Sequence, residues 1–129
     1  MSKPIEHYAL ISNTRGAALV CQDGSIDWLC LPRFDSPACL AALLGRREHG
    51  RWMIAPQGEV MRVQRRYRSR TLVLETELHT AEGSVRLVDC MPTTKGRADI
   101  FGDAGSACSS PTCIMAMLTW HALPTFCKY

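Results

Sequence analysis

Across residues 60–90 the chain alternates apolar and polar side chains with a period of two, in three runs separated by short polar breaks. In "EVMRVQRRY", Met61, Val63 and Tyr67 oppose Arg62, Gln64 and Arg66, with Arg65 interrupting the apolar side. In "TLVLETELHT", Leu72, Leu74, Thr76 and Leu78 share one face, and Val73, Glu75, Glu77 and His79 share the other. In "SVRLVDCMP", Val85, Leu87 and Asp89 oppose Arg86, Val88 and Cys90, and Glu82-Gly83 supplies the turn before it. Successive side chains of a strand point to opposite faces, so this pattern fits a meander with one wet face and does not fit a helix.

The first part of the chain reads the same way. "YALISN" and "AALVCQ" are short strands, and Asp23-Gly24 is a tight hairpin turn leading into "SIDWLCL". Strict alternation there puts Ile26, Trp28 and Cys30 on one face and Asp27, Leu29 and Leu31 on the other, a strand covered on both sides with Trp28 in the core. "GRWMIAP" is a further strand. One short helix is expected over residues 37–44, with Ser36 as N-cap, Pro37 at the first helical position and Gly45 at its end. The expected fold is therefore mainly β: an antiparallel sheet or sandwich with one short helix. From Thr93 the alternation stops. "CIMAMLTWHAL" reads as a short helix, and the Gly-, Ala- and Ser-rich tail is expected to be poorly ordered.

A length of 129 residues with 47% apolar and 21% charged residues suits one globular domain, or one piece of a larger protein. A net charge of +3 gives no argument for nucleic acid. No apolar run is long enough to cross a membrane, and "MSKPIEHYALISN" has no apolar core behind a basic head, so the expected location is cytoplasmic. The seven cysteines lack zinc-ligand spacing: Cys108 and Cys113 have no second close pair, and His121 does not complete a site. No metal or cofactor is expected, and Cys21, Cys30 and Cys90 read as small apolar core residues.

The strongest functional candidates sit in "PRFDSP", where Arg33, Phe34 and Asp35 lie between two prolines. A guanidinium, a carboxylate and an aromatic ring can hold a sugar. The competing reading is structural: Arg33 and Asp35 pair with each other or cap neighbouring backbone, and Phe34 is core. The basic run of Arg62, Arg65, Arg66, Arg68 and Arg70 reads as a solvated strand face balanced by Glu75 and Glu77. Those two glutamates are rejected as an acid/base pair, because their face reads as exposed and nothing raises a pKa.

Several blocks, in order, carry a family likeness: "PIEHYALISNTRGAALVCQDGSIDWLCLPRFDSPACLAALLG", "EHGRWMIAP", "RRYRSRTLVLETE" and "VRLVDCMP". Over residues 4–92 the chain resembles the start of the bacterial glucoamylase/trehalase-like enzymes of glycoside hydrolase family 15. Small departures are His7 in place of an acidic residue, Leu40 in place of an aromatic and Cys90 in place of Phe. The resemblance implies an N-terminal β-sandwich joined to a catalytic (α/α)6 barrel that carries both catalytic carboxylates. The chain ends before that barrel. It implies a partial sandwich over residues 1–92 and a divergent tail over 93–129, the latter suggesting a truncated or frame-shifted gene. No catalytic residue is expected here, and no activity of the chain alone. The implied partners are the barrel of full-length relatives and an α-glucoside sugar, with neither nucleic acid nor membrane. The resemblance also implies that Arg33, Phe34 and Asp35 lie near the sandwich–barrel junction, close to the sugar cleft. The alternatives are a free-standing carbohydrate-binding or protein-interaction module, and a translation product without function.

Overall fold

The computed structural model describes residues 3–31, 33–45, 47–91, 115–121 and 126–128. Ten strands occur among them: β1 Tyr8–Ser12, β2 Ala17–Cys21, β3 Ser25–Cys30, β4 Ala38–Leu40, β5 Trp52–Pro56, β6 Arg62–Tyr67, β7 Leu74–Thr80, β8 Gly83–Cys90, β9 Met115–His121 and β10 Phe126–Lys128. All pairings are antiparallel. One sheet runs β1-β2-β3-β5-β10 with β4 attached to β3; the other runs β6-β7-β8-β9.

The meander read from the sequence is the second sheet, in the register that alternation requires. Arg66 faces Glu75, which faces Val88; Thr76 faces Leu87; Leu78 faces Val85. The apolar faces of the two sheets pack together. Ile11, Ala18, Val20, Ile26 and Leu29 of the first sheet meet Leu74 and Met91, while Leu78, Val85 and Leu87 meet Ile54, Val60 and Val63. Burying each such side chain contributes about 1.5–3 kcal/mol, so this shared interior is what makes two sheets one sandwich.

Two side chains on the inner face of β6 cross between the layers. The Tyr67 hydroxyl donates to the Leu10 carbonyl at 2.9 Å, and the Arg65 guanidinium donates to the Val20 carbonyl at 3.3 Å. Arg65 is thus no flaw in the apolar side of its strand, because its charge is spent on backbone of the facing sheet.

Strict alternation fails in β3. Val20 faces Ile26 but Leu19 faces Trp28, so Asp27 has no partner across the ladder and forms a bulge. One extra residue shifts the phase of every later side chain. Ile26 and Leu29 therefore share one core, where alternation puts them on opposite faces, and Trp28 is half-buried.

The helix expected over residues 37–44 does not form. Residues Ala38–Leu40 pair with β3, and only a 3-10 turn follows at Ala42–Leu44. A two-turn helix carries the full nucleation cost for few hydrogen bonds, whereas β3 offers a row of unpaired backbone groups. Ser36 caps nothing helical; its hydroxyl accepts the Arg33 amide at 3.3 Å. Within "CIMAMLTWHAL" the described residues are likewise not helical: Met115–His121 pairs with β8 along its length, and Phe126–Lys128 pairs with β5. The rest of the tail, for which poor order is expected, lies outside the described residues. No helix among the described residues is long and apolar enough to cross a membrane.

The β2–β3 turn is the tightest contact between the elements. The Gly24 amide donates to the Cys21 carbonyl at 3.0 Å, and the Ile54 amide donates to the Gly24 carbonyl at 3.1 Å. Gly24 has φ +83°, and a Cβ there would lie 2.2 Å from the Ile54 carbonyl oxygen and 3.0 Å from Leu87 Cδ1. Both the backbone conformation and the space exclude a side chain. Gly24→Ala is expected to destabilise the chain by about 3 kcal/mol, read as a fall in the urea midpoint; an unchanged midpoint would show that this approach is not close in solution.

Candidate functional site

The loop that carries Arg33, Phe34 and Asp35 is fixed from two sides. Ser36 closes it internally, with its amide donating to the Arg33 carbonyl at 3.1 Å. The Phe34 amide reaches out of the loop and donates to the Arg15 carbonyl at 2.9 Å. Arg15 belongs to the β1–β2 hairpin, which is itself braced: the buried Asn13 carboxamide oxygen accepts from the amides of Arg15 at 3.1 Å and Gly16 at 2.9 Å. Thr14, between them, has φ +71°, a conformation uncommon outside glycine. Two loops distant in sequence therefore form one tip.

At that tip Arg33 and Asp35 pair in the bidentate manner, Nε to Oδ1 at 2.9 Å and the terminal nitrogen to Oδ2 at 3.0 Å. Their side chains are 68% and 59% exposed, so the pair contributes at most about 1 kcal/mol. Phe34 is 65% exposed. The pairing matches the structural reading of this loop, but that reading's core Phe34 is overturned: the short loop turns the ring outward. The result is a solvent-facing ring beside a fixed guanidinium–carboxylate plane, with Thr14 and Arg15 exposed next to it. The sequence reading missed the hairpin; the polar break "SNTRG" between two strands is the signal that marks it.

A second polar cluster lies in the first sheet and was not foreseen. Arg51 donates to Asp23 Oδ2 at 2.7 Å, to Ser25 Oγ at 2.7 Å and to Asp27 Oδ1 at 2.8 Å. The Tyr8 hydroxyl donates to the other Asp27 oxygen at 2.8 Å, and Lys3 pairs with Asp23. Burial alone would raise the Asp23 carboxyl, but Lys3, Ser25 and Arg51 together hold it well below the usual carboxylate range. Burial and the bond to Asp27 push the Tyr8 hydroxyl up. Both carboxylates are occupied by donors and Asp23 is held low, which suits a brace and not proton transfer.

The two glutamates of β7 are also occupied. Glu75 is not exposed, as its outward face suggests, but buried, because Arg68 at 2.6 Å and Arg66 at 2.8 Å lie across it and hold its carboxyl below the usual range. Glu77 pairs with Arg86 and is lowered in the same way. Catalysis as a general acid requires the opposite shift. Asp89 alone among the described carboxylates is raised, to about 6 by burial, and it lies between the sheets, out of reach of a substrate. Cys21, Cys30 and Cys90 are buried, in keeping with core roles, and Cys39 is exposed. No cluster of three metal-ligating side chains occurs among the described residues.

Residues 1–102 match the family described as trehalase-like, N-terminal. The chain is 35% identical over 88 residues to a trehalase of Mycolicibacterium smegmatis, a match covering 68% of this chain and 13% of that protein. It is 36% identical over 93 residues to a trehalase of Thermoplasma volcanium, covering 70% and 15%, and 35% identical over 86 residues to trehalase 2 of Sulfolobus acidocaldarius, covering 67% and 14%. The match thus spans only a small part of each of these relatives. No solved structure matches the chain.

Removing Arg51 leaves Asp27 buried without its cation. Arg51→Ala is expected to cost about 3 kcal/mol in denaturant unfolding at neutral pH. Carboxyls held low in the folded state add stability above the ordinary carboxylate range and lose it as pH falls through that range toward the folded values. The parent chain is therefore expected to weaken below about pH 4, and Arg51→Ala to weaken less steeply there. A variant as stable as the parent, or one equally acid-sensitive, would remove Arg51 from this role.

Proposed function

Because this chain belongs to the trehalase-like N-terminal domain family, we propose that it is the non-catalytic β-sandwich portion of a trehalase- or glucoamylase-like glycoside hydrolase. The observation that carries this reading is the extent of the match, which takes up only 13% to 15% of the trehalases. The state of the carboxylates supports it. Inverting hydrolysis of a glycosidic bond needs an accessible acid of raised pKa opposite a base, with a water-sized gap between them. Here Glu75, Glu77, Asp23 and Asp27 are engaged by arginines, and the raised acid is enclosed. The chemistry then belongs to the remainder of the relatives, the (α/α)6 barrel of the resemblance, and that barrel is the partner of this domain. We place the domain at residues 1–92, with 93–129 as a divergent tail, and its working location in the cytoplasm, where its thiols stay reduced.

The role of the tip follows from its rigidity. A loop that meets another domain, or a sugar at its mouth, binds with less ordering cost when its shape is already fixed. Arg33 and Asp35 present unused hydrogen-bonding groups, and Phe34 presents a ring. A second reading, a free-standing α-glucoside-binding module, is favoured by the exposure of that ring.

The isolated chain is expected to release no glucose from trehalose or maltooligosaccharides above a mock-purified control; sustained release that co-purifies with it would overturn the assignment. For the tip, residues 1–92 replace the matching segment of the M. smegmatis trehalase, and Arg33→Ala, Phe34→Ala and Asp35→Ala are made singly. Contact with sugar predicts a loss in kcat/KM of about tenfold with Tm nearly unchanged. Contact with the barrel predicts a Tm lowered by about 2–4 °C with kinetics intact. In the isolated chain Phe34→Ala is expected to stay within about 0.5 kcal/mol of the parent. If none of the three moves either quantity in the chimera, the tip has no such role. Measurable binding of trehalose or maltotriose by the isolated chain, lost in Phe34→Ala, would favour the second reading.

A further inference from the structure

Asp89 is the one buried carboxylate in the sandwich that no described side chain serves. It is 2% exposed, and its Oδ2 has no hydrogen-bond partner. It stands on the inner face of β8, directly opposite Leu74 of β7 and opposite Ala116 of β9. Its diagonal neighbour on β7 is Thr76, fully buried, whose hydroxyl is also without a partner. Leaving such groups unpaired is costly enough that native structures do so rarely, and each instance calls for a reason.

The charged and titratable groups around it whose side chains are described do not supply one. On β6, Arg65 and Tyr67 share the inner face, but they donate to the carbonyls of Val20 and Leu10. On β1 of the facing sheet, Ile11 is apolar and the Tyr8 hydroxyl is committed to Asp27. On β7, Glu75, Glu77 and His79 point to the outer face. On β8 itself, Arg86 lies on the outer face with Glu77, and Cys90, though adjacent, is a thiol raised by burial and by Asp89. Arg68 is bound to Glu75.

We propose that Asp89 is a proton-operated lock on the sandwich, closed when its carboxyl is protonated and loosened when it is ionised. The neutral acid carries no charge to desolvate, so burial on this face costs it far less than it costs the ion. Among the described side chains the ion has nothing to offset its loss of water. Two residues on, Met91 is buried in the core with Leu74, and its Cε lies 3.1 Å from where a Cβ on Gly16 would sit. Ionising Asp89 therefore loosens the end of β8 and the Met91 wedge, next to the hairpin that carries Arg15.

The sign follows from the acid being raised by burial to about 6 from an ordinary 3.8. A folded state that holds its proton more tightly than the unfolded chain gains stability as pH falls, and the gain accrues between pH 7 and about pH 4. This is opposite to Asp23, Glu75 and Glu77, whose contributions are lost on acidification. Urea unfolding of the whole chain is measured at pH 7 and pH 5, for the parent and for Asp89→Asn, an isostere of the neutral acid. The parent's folding constant is expected to be about tenfold larger at pH 5, relative to the variant's own change, and the variant's midpoint to exceed the parent's at pH 7. A parent and variant that change in parallel would overturn the proposal. Should Asp89→Asn fail to fold, carbon-13 titration of the parent's Asp89 carboxyl decides: a midpoint near 6 supports the lock, and one in the ordinary aspartate range overturns it.

Discussion

One guanidinium determines how the first sheet is threaded. Arg51, just before β5, holds Asp23 in the β2–β3 turn and Asp27 in the middle of β3, so that three segments meet at one cation. Its value is not chiefly stability, since a buried ion pair often does little better than a well-packed apolar group of the same volume. What it fixes is phase. Asp27 is the extra residue of the bulge, and with both its oxygens bound it cannot slip back into the ladder. The bulge in turn decides that Leu29 joins Ile26 in the core and sets the direction in which β3 runs into the loop at Arg33.

The second sheet solves a different problem: it is rich in arginine yet must present one dry face. It does so by giving four of its arginines a defined acceptor. Arg66 and Arg68 cover Glu75, Arg86 takes Glu77, and Arg65 passes inward to a carbonyl of the other sheet. Direct cross-strand placement makes these pairings possible, because Arg66 stands opposite Glu75 and Glu77 opposite Arg86. Against that background Asp89 is the exception that stands out, a carboxylate on the dry face without a cation among the described residues.

The sheet pattern was legible because period-two alternation is a direct consequence of strand geometry, and Val63, Leu74, Leu78, Val85 and Leu87 carried it. The bulge was not legible, since one inserted residue leaves composition unchanged and alters only the phase. Residues 37–44 misled for a related reason: Ser, Pro and Gly sit where a helix would want them, but local signals do not report that β3 has a free edge waiting. Glu75 misled because alternation gives the face of a residue and not what its neighbours lay over it. At the tip the residue types at Arg33, Phe34 and Asp35 were legible, while the supporting hairpin was not, because the bond from Phe34 to Arg15 joins residues that no local pattern connects.

That bond also bears on why the tip is rigid at all. The Arg33–Asp35 pair is exposed and can contribute little to folding, and an exposed Phe34 contributes nothing. Yet the backbone beneath them is held by Ser36, by Arg15 and, through Arg15, by the buried Asn13, while Thr14 is kept in a conformation that costs energy. Strain and bracing directed at side chains that do not stabilise the domain itself make sense when those side chains serve a surface outside it. The same hairpin touches Met91 through Gly16. The outward-facing tip and the inward-facing end of β8 are therefore neighbours, meeting where Met91 lies beside Gly16.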